Sequence, residues 1–215
     1  MRYRARSISY PVGLVAVGCV LSLGAACQGP GLLKVEDATL PVLAIGHDEI
    51  PAEAASAPQL VVMPGQPVTI PNVPMVKLAV DRAVPWAQVR AILDIMNARA
   101  QKPVFLIARR RKLKAFHLDD ELAGPSIEVY AETDGKICVK HPEVREAKCS
   151  QTQDKSYIDP SFARELVREG VDGYQRTNVT VDLPDALAWG DVVSSIGGAR
   201  SCCGDRDIRV MVATE

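Results

Sequence analysis

The sequence predicts an α+β fold with α/β character: two strand–helix–strand units, with a β-hairpin and an extra helix between them, built around mixed sheet. Three observations predict it. The phrase Ala-x-x-Trp-x-x-Val is written twice, in "AVPWAQVRAIL" at 83–93 and in "ALAWGDVVSSI" at 186–196, offset by 103 residues. Each copy lies between two short runs rich in branched apolar residues, as strands require. Between the copies, Thr133-Asp134-Gly135 separates two alternating runs, and Asp-Gly marks a hairpin because glycine accepts positive φ.

The first unit opens with "MVKLAV" (75–80), which alternates as a strand, and Asp81-Arg82 make a turn. Pro85 suits the first position of a helix, where its missing N–H has no partner to lose. Trp86, Val89, Ile92, Leu93 and Met96 then fall on one helical face, with the helix reaching Ala100. "PVFLIA" (103–108) is a continuous apolar run, the pattern of a strand buried on both faces. The second unit repeats this as "NVTVDL" (178–183), a helix from Ala188 to Ser201 with the face Trp189, Val192, Val193, Ile196 and Ala199, and "IRVMVA" (208–213). Trp86 and Trp189 occupy equivalent first-turn positions, each expected beneath its own helix. Between the units, "SIEVYAE" and "KICVKH" form the hairpin. "DPSFARELVREG" forms a helix with Asp159 as N-cap, Pro160 at the first position and Gly170 as the stop.

The N-terminus carries a different signal. "MRYRAR" has three arginines and no acid, and "SYPVGLVAVGCVLSLGAA" (9–26) is uncharged. A basic start, an apolar run and small residues before a cleavage point make a secretory signal. "LGAAC" at 23–27 resembles a bacterial lipobox, in which the cysteine, here Cys27, carries lipid; Gly24 stands where a leucine is usual. The competing reading is an uncleaved membrane anchor, for which the run is slightly short of the roughly 20 residues a span needs. Loss of residues 1–26 leaves 22 basic against 26 acidic residues. The mature chain is then mildly acidic, which argues against nucleic acid as a partner, and lies in a compartment that permits disulfides.

The boundaries that follow are a signal peptide at 1–26, a Pro-rich tether at 27–74, the first unit at 75–114, the hairpin and connecting helix at 115–174, and the second unit at 175–215. The tether reading rests on eight of the fifteen prolines falling between residues 28 and 75. Its alternative is edge strands packed on the body, where proline is tolerated.

Residues 76–108 resemble the periplasmic domain of the ExbD/TolR biopolymer-transport family. The matching positions are Val76, Leu78, Val80, Asp81, Val84, Trp86, Val89, Ile92, Leu93 and Val104 to Ala108. The second copy matches through Val179, Val181, Leu187, Trp189, Val192, Val193 and Val210 to Ala213. The resemblance implies that family's fold, present twice, and a docking role in the periplasm. It does not carry over proton-driven work. Family members bear an acidic residue in the membrane segment, whereas the first acid here is Glu36, and an uncharged segment cannot exchange protons in the bilayer.

Motifs for chemistry are sparse. His47, His117 and His141 lack metal-ligand spacing, and no G-x-S-x-G, H-E-x-x-H or phosphate loop occurs. No cofactor and no metal are expected. "ARRRKLK" (108–114) supplies Arg109, Arg110, Arg111, Lys112 and Lys114, which suit either contact with anionic lipid or cell-wall polymer or a solvated strand exit. Cys138, Cys149, Cys202 and Cys203 allow three pairings. One is a local Cys138–Cys149 bridge, leaving Cys202 and Cys203 as a vicinal bridge or free thiols. Another staples the hairpin to the end of the second helix.

The functional expectation is a non-catalytic lipoprotein facing the periplasm, tethered through its acyl chains, more at the outer than the inner membrane. It binds a protein partner or peptidoglycan, as a monomer or homodimer, or serves as an accessory to a biopolymer-transport complex. The alternative is an enzyme whose site, drawn from Asp182, Asp185, Asp191 and the cysteines, assembles only in three dimensions. Cys27→Ser is expected to abolish lipid attachment. Mass spectrometry of the wild-type N-terminus checks this, and an intact, unprocessed N-terminus contradicts it.

Overall fold

A helix start leaves its first backbone N–H groups without intrahelical partners, and neither repeated helix brings a side chain that can cap them. The N-caps are Pro85 and Ala188, and neither makes a side-chain capping bond. Each helix is capped by the other unit instead. Trp86 N–H donates to the Leu187 carbonyl at 2.7 Å and Ala87 N–H to that of Asp185 at 3.1 Å. In return Trp189 N–H donates to the Val84 carbonyl at 2.7 Å and Gly190 N–H to that of Arg82 at 2.9 Å. Every donor and acceptor of the first set maps onto the second by the same 103-residue offset, so the contact is a reciprocal one about a pseudo-two-fold axis. Pro85 and Ala188 form an antiparallel bridge at its centre.

The computed structural model describes residues 32–43, 50–118, 122–132, 136–150, 160–175, 177–203 and 208–213. It is a mixed α+β fold. The strands are β1 (Lys34–Val35), β2 (Ala38–Thr39), β3 (Gln59–Val62), β4 (Met75–Val80), β5 (Lys102–Arg109), β6 (Lys112–Phe116), β7 (Ile127–Ala131), β8 (Ile137–Lys140), β9 (Lys148–Cys149), β10 (Asn178–Asp182) and β11 (Arg209–Val212). The helices are α1 (Trp86–Ala98), α2 (Pro160–Tyr174) and α3 (Trp189–Arg200).

Two main sheets result, of order β3-β4-β5-β6 and β11-β10-β7-β8-β9. In each, the strands flanking the repeated helix are parallel neighbours, β4 with β5 and β10 with β11. A further parallel strand lies on the other side, β3 beside β4 and β7 beside β10. The two sheets therefore share a three-strand parallel kernel and extend it at opposite edges. An antiparallel β6 adds beside β5, whereas β8 and β9 add beside β7.

One apolar core runs through both units. At its centre Trp86 and Trp189 are fully buried and stack with centroids 5.7 Å apart and planes 12° from parallel. Phe105 on β5 and Phe116 on β6 close against Trp189 at 4.8 and 6.0 Å. The tryptophans are thus not two separate plugs beneath two helices, as their spacing suggested. They face one another across the junction, because the reciprocal caps bring the first turns of α1 and α3 together.

Two other expectations need correction, and one strand is additional to those expected. The segment 27–74 is not a free tether where it is described. β3 is an edge strand in register with β4, and Leu40 and Ala54 are fully buried against Ala79, Val104, Leu106, Ala108 and Ala115 on the outer face of the first sheet. Its prolines serve as acceptors: the carbonyls of Pro58 and Pro74 take the N–H groups of Lys77 and Lys102, and that of Pro71 takes the Gln101 amide at 2.7 Å. Proline lacks only the donor, so a proline-rich stretch pairs at an edge.

The helix α2 does not stop at Gly170 but continues to Tyr174. Gly170 is a contact residue: a Cβ there would lie 2.5 Å from the His141 ring and 2.6 Å from Ile127. The Asp159 cap lies outside the described residues. Finally, β6 was not foreseen, although Leu113, Ala115 and the polar residues between them alternate with the period of a strand.

Trp86→Ala and Trp189→Ala are each expected to lower stability by about 3–5 kcal/mol. The double variant should lose less than the sum, since the two rings share one contact. Urea unfolding of the four proteins measures this, and strict additivity would contradict a common core. Residues 76–108 expressed alone, being below the size that usually folds and deprived of their caps, should show no cooperative thermal transition by circular dichroism.

Candidate functional site

Three places gather the polar and charged side chains that the sequence singled out. The first is the rim of the reciprocal junction. Asp185 pairs with Arg90 at 2.7 Å. On the symmetry-related side Asp191 lies near Arg82: burial pushes its carboxyl above the ordinary carboxylate range, and the Arg82 cation opposes that rise. Asp182 is exposed on β10. Asp191 does not meet the Cys202–Cys203 pair, because it begins α3 and Cys202 follows its end, roughly 16 Å further along the helix axis. Asp81, in contrast, is buried, and its carboxylate accepts the N–H groups of Thr39 at 2.7 Å and Ala83 at 2.8 Å. It ties the N-terminal segment to the end of β4, which is a structural role.

The second place is the outer end of the hairpin. Cys138 and Cys149 form a disulfide between paired positions of β8 and β9. Cys202 and Cys203 form a vicinal disulfide. The alternative that staples the hairpin to the end of the second helix is not what the fold adopts. Glu132, Cys138 and Cys149 have ligand atoms within 4.8 Å of one another, but both sulfurs are in the disulfide and offer no thiolate to a metal.

Beside this bridge lies His141, 3% exposed, with neither ring nitrogen hydrogen-bonded among the described residues. It is held against Gly170 and tilted onto Tyr174 at 5.4 Å. Burial lowers its pKa from the ordinary 6.5; Lys148 adds to the shift, and Glu169 and Glu143 act against it. Glu169 is itself hydrogen-bonded by Lys148 at 2.7 Å, which holds its carboxyl below the ordinary range. His117 follows β6, where its carbonyl accepts from Arg200. His47 lies outside the described residues.

The third place is the β5–β6 turn. Arg109 pairs with Lys112, so the loop is Arg110-Arg111 alone. Both residues have positive φ, 47° and 62°. A two-residue hairpin turn of this hand suits the sheet's twist and is normally filled by Asn-Gly. Arginine has a Cβ and pays roughly 1–2 kcal/mol for such a conformation. Arg110, Arg111 and Lys112 are exposed, whereas Arg109 and Lys114 are partly covered. The basic run therefore spans the end of β5, an exposed two-residue turn and the start of β6. Its sequence signal was charge; the strain was not visible without the β6 pairing.

A cavity of about 380 Å³ is lined by Asn97, Ala100, Gln101 and Lys102. Cys27 lies outside the described residues, and among those described no helix is long and apolar enough to cross a membrane. No protein-family model, curated protein or solved structure matches the chain. What the fold defines is the class of a mixed α+β protein with an internally repeated strand–helix–strand kernel.

Two outcomes are expected. Replacing the turn with Arg110→Asn and Arg111→Gly should stabilise the fold by about 1–3 kcal/mol in urea unfolding, and a loss of stability would show that the arginines hold the turn. For His141, the folded pKa lies below the unfolded one, so its contribution to stability is complete above 6.5 and is lost as pH falls towards the folded value. Stability should therefore drop on acidification through that window, and His141→Phe should flatten the drop. An unchanged slope would contradict the assignment.

Proposed function

We propose that the chain is a membrane-tethered lipoprotein of the bacterial periplasm. Its body is a non-catalytic binding scaffold built from two ExbD/TolR-like units. The observation that carries this reading is the reciprocal junction. That family's domains commonly pair as dimers, and a chain with two units that cap each other assembles in cis what two copies would otherwise assemble. The N-terminal "LGAAC" supplies the anchor at Cys27, and Gln28 after it favours the outer membrane. The partner is a protein or peptidoglycan, and the chain serves as an accessory to a biopolymer-transport complex rather than as its proton-driven element.

Placement of the candidate groups supports binding over catalysis. Asp182, Asp185 and Asp191 are spread around the junction, Asp185 is consumed in an ion pair, and the four described cysteines are in disulfides.

Pull-down from detergent-solubilised membranes, with and without prior cell-wall digestion, tests the reading. A specific protein recovered under both conditions identifies a protein partner; recovery of muropeptides that digestion abolishes identifies the wall. Recovery of neither, together with turnover of a periplasmic substrate, would favour the enzyme.

A further inference from the structure

We propose that the β5–β6 turn is a membrane-contact element that lays the body against an anionic phospholipid surface beside its own anchor. Three observations meet there. The first is the strained Arg110-Arg111 pair, continued by exposed Lys112. Backbone strain at a site that Asn-Gly would fill without it points to a use for the side chains.

The second is apolar. Ala108 is bridged to Val42 on one side and paired with Leu113 on the other, which puts the three on one face. Ala108 is buried, but Val42 and Leu113 are 48% and 37% exposed, two of the few large apolar side chains open to solvent among the described residues. Exposed branched side chains directly beside a cationic tip have the composition of a surface that dips into the headgroup region and holds there by charge.

The third is position. Leu33 bonds to Leu40, and Pro41 and Leu43 bond to Ala108, so Leu33 lies two bonded steps from the tip strand, within about 15 Å. Cys27 is five residues before Leu32 and so at most about 18 Å from it. A membrane holding Cys27 is therefore within reach of the turn. Leu32 is itself 47% exposed. The nearby acids, Glu36 and Asp37, sit at the turn between β1 and β2, at the other end of that small hairpin from Leu33. The occupant that matches three exposed cations flanked by apolar side chains is a bilayer with anionic headgroups. A soluble polyanion would match the charge and leave Val42 and Leu113 unexplained.

The proposal rests on the tethered reading for proximity, and the test separates the two. The full chain carries Leu113→Trp as an interfacial reporter; the native tryptophans are buried and do not compete. It is added to vesicles of phosphatidylcholine, or of phosphatidylcholine with phosphatidylglycerol, each containing brominated lipid. Flotation reports association, and quenching reports insertion of the tip. Quenching should be several-fold greater with phosphatidylglycerol and fall at high salt. Adding Arg110→Asn and Arg111→Gly, which should not destabilise the fold, removes two cations and should weaken tip engagement about 30-fold.

Flotation on anionic vesicles alone supports the tip and sinks the anchor. Flotation on both with equal quenching, or quenching unchanged by the turn variant, overturns the tip and leaves the anchor standing. Flotation on neither overturns both. Binding of purified cell-wall polymer through these arginines, without the lipid difference, also overturns it.

Discussion

Four backbone hydrogen bonds between two turns organise this protein. The first amides of α1 and α3 have no capping side chain of their own, and each pair is satisfied by carbonyls of the other unit. Buried amides without partners cost roughly 1–3 kcal/mol each. Neither helix start is therefore complete unless the other is in place. The rest of the arrangement follows from that dependence. Bringing the helix starts together stacks Trp86 on Trp189, and Phe105 and Phe116 complete the cluster from the first sheet. Gly190 sits at a close approach in this junction, since a Cβ there would meet Arg82 at 3.3 Å. The sheets stay separate because the join is made by helix ends rather than by strand edges.

Much of the fold was legible. The twice-written tryptophan phrase marked both kernels, and the branched runs around it became parallel neighbours. The Asp-Gly signal marked β7 and β8, whose strands pair as expected, the turn itself lying outside the described residues. What was not legible were features set by partners distant in sequence. Pro85 and Ala188 read as ordinary helix starts, and nothing local reveals that their caps come from residues about a hundred positions away. Gly170 reads as a helix stop by composition, yet its missing side chain makes room for His141. The prolines of 27–74 read as a tether because composition cannot distinguish a stiff linker from an edge strand, whose prolines lack a donor but still accept from a neighbour's N–H groups. "RRRKLK" read as charge, and only the pairing of β6 exposed the strained turn within it.

The functional account separates along the same line. Its scaffold is defined by the junction, and its surface chemistry sits at one corner of the first sheet. There a basic turn, two exposed apolar side chains and the β1–β2 segment come together. The second sheet holds the disulfide of the hairpin, the buried histidine and the Lys148–Glu169 pair, on the side where α2 packs on it.

The central claim is that the two units are one cooperative structure through mutual capping. Native-state hydrogen exchange at the amides of Trp86, Ala87, Trp189 and Gly190 tests it most directly. If each cap depends on the other unit, all four should exchange only through global unfolding, with one common free energy and one common dependence on denaturant. Rapid exchange at any of the four, or one pair opening at lower free energy than the other, would show that the units stand independently and would contradict the account.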